Sequence, residues 1–397
     1  MLNTLLQEVE AKIQRQTETF TVRPYFSLRL ALLCSFLVFI TGGDVLVSVM
    51  VGFEKLSENT TWQFLQKQIE SPLTARSSRE LFHHTSKMVH RLFPPLLGKF
   101  CIDCSLKGIM YFMVLMEYLA GFLFFYFFSK LVSRISNPSL SFLLTLSICF
   151  TFLGKLFFWD ATDGFALLGL LLAMSTRKTS VLFLALCMSF WTDERAIIAS
   201  GLVFLWHGLV NIPSSGNPIS VKDLLRFNKY QSVILVTIIF HFTVRFLLAQ
   251  LYSMPPTVTL PQAIAEMKVV LIDHRTIELI PIVTFSTFEG WWLVLILSTL
   301  AINRLVGKGV FVFYVLCFTS SLLVSYMVDD ITRSMVYAFP AVLIGFRWLW
   351  SILPEAQLKR LLTVVLVFNI FYPTYYLDHY VWPFFIRILK YSLIYGL

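Results

Sequence analysis

Long apolar runs separated by short polar turns set the pattern of this chain. Many approach the ~20 residues that an α-helix needs to cross a bilayer. The runs lie at residues 27–50, 108–128, 139–157, 163–175, 180–191, 196–211, 232–253, 281–302, 309–327, 334–352, 361–376 and 380–396. They are continuous, whereas membrane β-strands alternate, and helices satisfy their own backbone groups in lipid. The pattern predicts an all-α polytopic transmembrane helical bundle with about 12 membrane segments. The three runs between 163 and 211 are short, so half-helices or tilted pieces are an alternative there.

Polar segments divide the chain into a tail and two membrane modules. Residues 1–25 predict a cytoplasmic amphipathic tail that is retained and lies on the membrane surface. Residues 26–212 are the predicted N-terminal transmembrane module, and 213–397 are the C-terminal transmembrane module. The first module contains a long outer loop at 53–107, where apolar residues recur at helical spacing. We therefore expect a helical first outer loop.

Composition and charge indicate a membrane protein and orient it. The chain is 57% hydrophobic and only 14% charged, whereas soluble domains carry about 25% charged residues. Short basic loops alternate with acidic ones, so the positive-inside rule places the N-terminus in the cytoplasm. The net charge of +9 does not indicate nucleic acid, because the basic residues are dispersed among the inner loops. Membrane orientation and anionic lipid explain them better.

Two of the six cysteines form a CxxC motif at the end of the first outer loop. Cys101 and Cys104 can form a disulfide, supply half of a metal site, or lie together by chance. Zinc is disfavoured because the chain has no second CxxC motif. The sequence favours a structural or incidental role.

Three aspartates at outer boundaries are the catalytic candidates. Asp44 follows Gly42-Gly43 near the outer end of the first span, where it either acts as a general base or simply ends the helix. Asp160 and Asp163 share the next outer turn, FFWDATDGF. Asp163 is also a plausible N-cap of the following span. Two carboxylates can bind a divalent cation, so a metal ion is a possible cofactor, although no metal ligand is assigned.

Two further outer turns combine acidic and basic side chains, and we predict that they bind substrate. The segment WTDER carries Asp193 and Glu194, which either line the same cavity as Asp44 or cap an interfacial turn. The segment VDDITR carries Asp329, Asp330 and Arg333. Arg333 can bind a phosphate or a carboxylate with its planar fork, or neutralise its own acidic neighbours.

A basic cluster in the first outer loop is the third predicted substrate-binding segment. The sequence HHTSKMVHRLFPP places Lys87, His90 and Arg91 on one face of a predicted helix. Such a face suits a phospholipid head group or a lipid-linked phosphate. The alternative is nonspecific adhesion to anionic lipid.

The layout resembles the GT-C superfamily of polytopic glycosyltransferases over residues 25–212. The shared features are the cytoplasmic N-terminus, the long first outer loop, an acidic residue after the first span (Asp44) and a second acidic site in the next outer turn (Asp160 or Asp163). The resemblance implies transfer of a sugar from a polyprenyl-phosphate donor at the outer face. Asp44 would act as the base, while Arg333, Arg91, Lys87 or a loop histidine would stabilise the phosphate. A compact bacterial-type member of the inner membrane is the better match.

A membrane transporter or flippase for a lipid-linked or small solute is the alternative. Transporters place charged residues in mid-span, often on broken helices. Most charges here lie at the outer boundary, which favours surface-adjacent chemistry. Glu289, inside the apolar stretch TFEGWW, is the feature that most favours transport.

Overall fold

The computed structural model describes residues 20–21, 24–41, 60–75, 88–157, 162–210, 227–252, 254, 274–327, 330–376 and 379–381. Most of the predicted N-terminal tail lies outside these ranges, as does most of the last predicted span. Within them the regular structure is helical, apart from one small hairpin. The all-α prediction therefore holds for the described part of the chain.

The first half contains nine α-helices among the described residues. They are α1 Phe26–Thr41, α2 Thr60–Glu70, α3 Phe93–Gly98, α4 Leu106–Ile135, α5 Pro138–Cys149, α6 Phe152–Leu156, α7 Asp163–Ser175, α8 Thr179–Thr192 and α9 Arg195–Val210. Cys101 and Cys104 form a disulfide between α3 and α4, in agreement with one of the alternatives that the sequence left open.

The second half continues the helical bundle and ends in a hairpin. Its helices are α10 Lys229–Leu251, α11 His274–Phe288, α12 Trp291–Leu305, α13 Lys308–Ser325, α14 Ile331–Met335, α15 Pro340–Ile352 and α16 Glu355–Phe371. Strand β1, Thr374–Tyr376, pairs antiparallel with β2, His379–Val381. The predicted span 361–376 is therefore wrong at its end, where the chain becomes a strand.

Three of these helices, α4, α10 and α13, are individually long and apolar enough to cross a membrane. Two bent pairs, α11 with α12 and α14 with α15, raise the count to five when each pair is treated as one span. Helices α1, α5, α7, α8 and α9 are apolar but shorter. A helix rises about 1.5 Å per residue, so the shorter ones do not cross a ~30 Å hydrocarbon core unaided. The structure supports a membrane protein but does not confirm twelve spans.

Polar side chains fix where several helices begin. The Asn228 side chain accepts hydrogen bonds from the backbone of Tyr230 and Gln231, and Gln231 accepts one from the Asn228 backbone. This capping box satisfies N–H groups that the first turn of α10 leaves without partners. Asn137 caps α5 by accepting from Leu140 N at 2.9 Å, and Pro138 then provides a first helical residue that needs no N–H bond.

A cluster of phenylalanines joins the two halves at their centre. Phe124 of α4 is fully buried, and its ring lies 4.8 Å from that of Phe157 and 5.5 Å from that of Phe339. Phe125 and Phe128 pack on the same ring. Helices in a bilayer associate through close van der Waals packing, so these ring contacts hold α4 against the segment that leads into α15.

The predicted span 281–302 is broken at Glu289. Helices α11 and α12 meet at 83°, and Glu289 adopts a positive φ of 49°, a region that non-glycine residues rarely occupy. Asn369 of α16 stabilises the break because its Oδ1 accepts from Gly290 N at 2.8 Å. Its Nδ2 donates to the Ser147 carbonyl of α5. The predicted span 139–157 is likewise interrupted between α5 and α6.

Gly164 gives a test of the packing between α4 and α7. The carboxylate of Glu117 in α4 accepts a hydrogen bond from Gly164 N at 2.7 Å. A methyl group on Gly164 would lie 2.6 Å from Phe157 Cδ1 and 2.8 Å from Glu117 Cδ. We expect Gly164→Ala to lower the free energy of unfolding by about 1–3 kcal/mol, as overpacked cores do.

The control for this test is Gly201→Ala in α9, where the nearest atom to an added methyl is Cys317 Sγ at 3.0 Å. The added methyl requires a small shift of the Cys317 side chain, whereas alanine favours a helix over glycine by about 1 kcal/mol, so we expect this variant to be more stable than Gly164→Ala. The measurement is the thermal unfolding midpoint in detergent. Equal midpoints for the two variants would contradict the described contact between α4 and α7.

Candidate functional site

Several segments that are distant in sequence meet in one buried charged cluster at one end of the bundle. We call it the arginine–carboxylate network, and it contains Arg91, Arg195, Arg245, Arg333, Asp163, Asp193, Glu194 and Asp330. Its members come from the segment between α2 and α3, the start of α7, the turn between α8 and α9, the later part of α10, and the start of α14. Convergence of these segments creates a candidate binding site that no single motif defines.

The turn between α8 and α9 forms the centre of the network. Asp193 Oδ1 accepts from the backbone N of Arg195 at 2.9 Å and from its Nε at 2.7 Å. Asp193 Oδ2 accepts from Arg195 NH2, also at 2.7 Å. This is a two-pronged pairing of a guanidinium with a carboxylate, the strongest form of such contacts. Asp193 is completely buried, so the turn carries its ion pair into the protein interior.

Arg195 extends the network to two other helices. Its NH2 contacts Asp163 Oδ2 at 3.1 Å at the start of α7. Its NH1 donates to the hydroxyl of Ser334 in α14. The guanidinium also lies over the ring of Tyr337, 4.7 Å from the centroid, in a cation–π arrangement. Arg195 therefore pairs both with its neighbour Asp193 and with Asp163, which lies 32 residues away in the sequence.

Arg333 enters from the first turn of α14. Asp330 caps that helix by accepting from Arg333 N at 3.1 Å. The Arg333 Nε lies 3.0 Å from Asp330 Oδ2 and 3.4 Å from Asp163 Oδ2. Arg333 thus contacts its own neighbour, one of the two predicted alternatives, and a carboxylate 170 residues away as well.

Arg91 brings the first outer loop into the network. Its NH2 contacts Asp193 Oδ2 at 2.7 Å, and its Nε lies 3.6 Å from Glu194 Oε2. Glu194 Oε1 lies 3.6 Å from Arg245 NH2 of α10. His90 is also buried. His90 and Arg91 are therefore largely buried in the described structure, and the carboxylates of Asp193 and Glu194 account for the position of Arg91.

A small hydrophobic cluster explains why Arg91 and Arg245 are close. Met88 and Val89 pack with Phe64 of α2 and Met254, with Leu248 and Ala249 of α10 at the edge of the same cluster. Gln68 of α2 donates to the Met88 carbonyl at 3.0 Å. The hydrophobic cluster holds the segment around Met88 against the end of α10, so residues 90 and 91 lie beside that helix.

Asp193 and Arg91, two members of the network that lie outside the helices, stabilise each other's charged forms. Burial alone would raise the pKa of the Asp193 carboxyl, but the Arg195 and Arg91 guanidiniums and the hydrogen bonds from Arg195 hold it well below its usual range. Burial alone would lower the pKa of Arg91, but Asp193 and Glu194 outweigh burial and raise it. Both groups therefore stay charged across the physiological pH range.

Glu117 adds a carboxylate that sequence reasoning missed. It lies in the middle of α4 and is 1% exposed, and its Oε1 accepts from Gly164 N next to Asp163. This hydrogen bond satisfies one of the N–H groups that the first turn of α7 leaves without partners, so Glu117 stabilises the start of α7. The signal that was available is a single acid inside a 30-residue apolar helix.

The structure gathers six of the eleven predicted site residues and leaves four undescribed. Asp163, Arg91, Asp193, Glu194, Asp330 and Arg333 belong to the network, and His90 is buried beside Arg91. Asp44, Lys87, Asp160 and Asp329 lie outside the described residues. Arg195, Arg245, Glu117 and Tyr337 were not predicted as site residues. Arg245 resembles Glu117 in being a single charge within an apolar run.

The described residues contain no group of three or more His, Cys, Asp or Glu side chains that could hold a metal ion. Asp163 and Asp193 are instead each paired with two arginines. Both carboxylates are fully buried, so in this arrangement they position arginines. The arginines are the groups that can recognise an oxyanion.

Comparison with protein family models, with curated protein sequences and with solved structures returns no match for this chain. The proposals below therefore rest on its sequence and on the geometry of the network.

We expect Arg195→Gln to destabilise the protein strongly. It leaves Asp193 without its bidentate partner inside the protein, and breaking a buried pair on one side costs about 3–5 kcal/mol. The double variant Asp193→Asn with Arg195→Gln should recover part of this loss. The measurement is a double-mutant cycle on thermal unfolding in detergent.

The control is Lys359→Gln, which breaks the 2.8 Å surface pair with Glu355 on α16. Exposed pairs contribute about 0–1 kcal/mol, so this variant should unfold close to the parent. If Arg195→Gln were as mild as Lys359→Gln, the network would not be a buried structural unit.

Proposed function

We propose that this protein is an integral membrane glycosyltransferase of GT-C type. It would transfer a sugar from a polyprenyl-phosphate-linked donor to an acceptor at the outer face of a bacterial inner membrane. The proposal includes about twelve membrane segments, a cytoplasmic N-terminus, membrane lipid as a partner and no nucleic acid. The observation that carries it is the convergence of the predicted outer turns on the arginine–carboxylate network.

The network offers the charge that this reaction needs. Breaking the bond between a sugar and a lipid phosphate leaves negative charge on the phosphate, which guanidinium groups stabilise well. Arg333 lies at the first turn of α14, and Asp163 and Asp330 hold its Nε. We assign Arg333 the role of binding the donor phosphate. Arg91 contacts Asp193 in the same arginine–carboxylate network.

Asp44 remains the proposed general base. Helix α1 ends at Thr41, three residues before Asp44 in the sequence. Near that end, Phe39 packs against Tyr118, the neighbour of Glu117, at 6.0 Å. This end of α1 therefore approaches the part of α4 that joins the network. Asp160 remains a second candidate, while Asp163 is better explained as a positioning residue.

One observation favours transport as the second candidate function. Glu289 is a fully buried carboxylate at the break between α11 and α12. The Thr374 hydroxyl donates a hydrogen bond to Glu289 and accepts one from Lys155 of α6. One hydroxyl therefore bridges an acidic and a basic side chain. Buried charges at broken helices are typical of transporter binding sites. Liposomes that contain a lipid-linked sugar separate the two functions, because transfer makes a new product whereas transport only moves the lipid between leaflets.

We expect Asp44→Asn to abolish sugar transfer with little change in expression or thermal unfolding. The amide keeps the size of the side chain but cannot take a proton, and a positioned base contributes about 10²–10⁴-fold to rate. The assay follows product formation from a polyprenyl-phosphate sugar in detergent. Asp160→Asn serves as the parallel variant. Full activity in Asp44→Asn would remove Asp44 from the mechanism.

We expect Arg333→Ala to raise the KM for the donor more than the KM for the acceptor. A hydrogen bond to a charged group is worth about 1.5–3 kcal/mol, which corresponds to roughly a tenfold to hundredfold weaker donor affinity. Steady-state kinetics with each substrate varied in turn measures the effect. Arg134→Ala is the matched control, because Arg134 is a surface arginine that contacts the Ser175 carbonyl. Equal losses for donor and acceptor would argue against a phosphate role for Arg333.

A further inference from the structure

Arg245 is a buried cation whose charge is poorly balanced. Its side chain is 13% exposed, and among the described residues its ion pair is with Glu194 at 3.6 Å. Charge-assisted hydrogen bonds between nitrogen and oxygen are normally about 2.7–2.9 Å long. Arg195 shows the contrast, since two of its nitrogens lie 2.7 Å from Asp193 oxygens. Arg245 is thus held near a carboxylate without a close bond to it.

Glu194 is the loosest carboxylate of the network. It is 37% exposed, whereas its neighbour Asp193 is completely buried. Its two oxygens point to Arg91 and Arg245, and both separations are 3.6 Å. The Glu194 side chain can therefore turn to solvent when an anionic ligand takes its place between the two largely buried guanidiniums.

His241 supplies a second, independent sign of a ligand site. It lies one helical turn before Arg245 on α10 and is 1% exposed. Neither ring nitrogen has a hydrogen-bond partner within the described structure. The centroid of the His241 ring lies 4.5 Å from that of Trp191. Arg245, Glu194 and His90 are the titratable side chains that interact with it. A buried polar group without a partner is costly, and a bound oxyanion would relieve that cost.

The surface of α10 next to this site is apolar. Ile239, Phe242 and Phe246 are 65%, 52% and 62% exposed, and α10 is one of the three helices that can cross a membrane alone. In a bilayer these side chains would face acyl chains. A ligand with a phosphate and a long apolar tail matches both the guanidiniums and this surface.

We propose that Arg91, Arg245 and His241 bind the phosphate group of a membrane lipid, and that the Glu194 carboxylate is an internal placeholder which this phosphate displaces. A phosphate carries up to three terminal oxygens, enough for all three side chains, whereas the carboxylate has two. Asp193 keeps Arg91 oriented during the exchange through its 2.7 Å contact. The inference concerns binding at a second phosphate position of the network, separate from the donor phosphate assigned to Arg333, and only the polyprenyl identity of the lipid rests on the proposed function.

The test measures lipid affinity without an acceptor, so that turnover is not needed. Full-length protein in phosphatidylcholine nanodiscs is titrated with polyprenyl phosphate, with phosphatidylserine or with inorganic phosphate. Glu194→Gln keeps the size of the side chain and removes the competing charge, so we expect it to bind polyprenyl phosphate about threefold to tenfold more tightly. Arg245→Gln should bind at least tenfold more weakly. His241→Phe preserves ring packing against Trp191 but loses both nitrogens, and it should weaken binding severalfold.

Glu355→Gln is the matched control, because Glu355 pairs with Lys359 on α16 and takes no part in the network. It should leave affinity unchanged. Unchanged or weaker binding in Glu194→Gln overturns the placeholder, and this variant retains all the arginines if Arg245→Gln fails to fold. The phosphate of phosphatidylserine is a diester with two terminal oxygens, so equal affinity for this lipid would overturn recognition of a terminal phosphate by all three side chains. Preference for inorganic phosphate would show that the tail is not recognised. A protein that binds as expected but transfers no sugar contradicts only the proposed function.

Discussion

The paired contacts of Arg195 with Asp193 and Asp163 are the interaction on which the rest of this structure depends. One guanidinium joins the turn between α8 and α9 to the starts of α7 and α14. Charges buried at low dielectric are costly when they lack partners. Once Arg195 is inside, it therefore constrains where the starts of α7 and α14 can lie. Short apolar helices that cannot cross a bilayer alone acquire a defined position from this constraint.

The carboxylates of the network differ in burial and in the closeness of their ion pairs. Asp163 and Asp193 are fully buried and lie 2.7–3.4 Å from their arginines, whereas Glu194 is partly exposed and lies 3.6 Å from each of its two partners. Asp163 and Asp193 therefore fix the positions of the guanidiniums, whereas Glu194 controls whether a ligand can reach them. Such a division suits a site that must keep its shape while an anionic ligand enters and leaves.

Part of the candidate site could be predicted from the sequence, because charged side chains are energetically unfavourable in lipid. Charges at the ends of apolar runs identified Asp163, Asp193 and Arg333, but their mutual contacts depend on packing across as many as 170 residues. Arg245 and Glu117 were missed because hydropathy averages a single charge into its apolar surroundings. Glu289 was noticed for a sound reason, a lone acid in an apolar stretch, but its neighbours Lys155 and Thr374 are distant in the chain.

The fold shows a similar limit. Helical character followed from the long apolar runs, whereas breaks at Phe150 and Glu289 depend on local backbone angles and on partners such as Asn369. Glu289 and Gly290 interrupt the apolar run 281–302, but the sequence alone does not show that its helix turns by 83° at this point. The number of crossings was therefore harder to predict than the helices themselves.

The bridge between Cys101 and Cys104 provides a redox marker for the sidedness of the whole network. Disulfides persist in the periplasm and other oxidising compartments and are rare in the cytosol. The bridge lies only a few residues after α3, in the same loop segment that delivers Arg91. Its oxidation state in cells would therefore report which side of the membrane the network faces, independently of any count of basic loop residues.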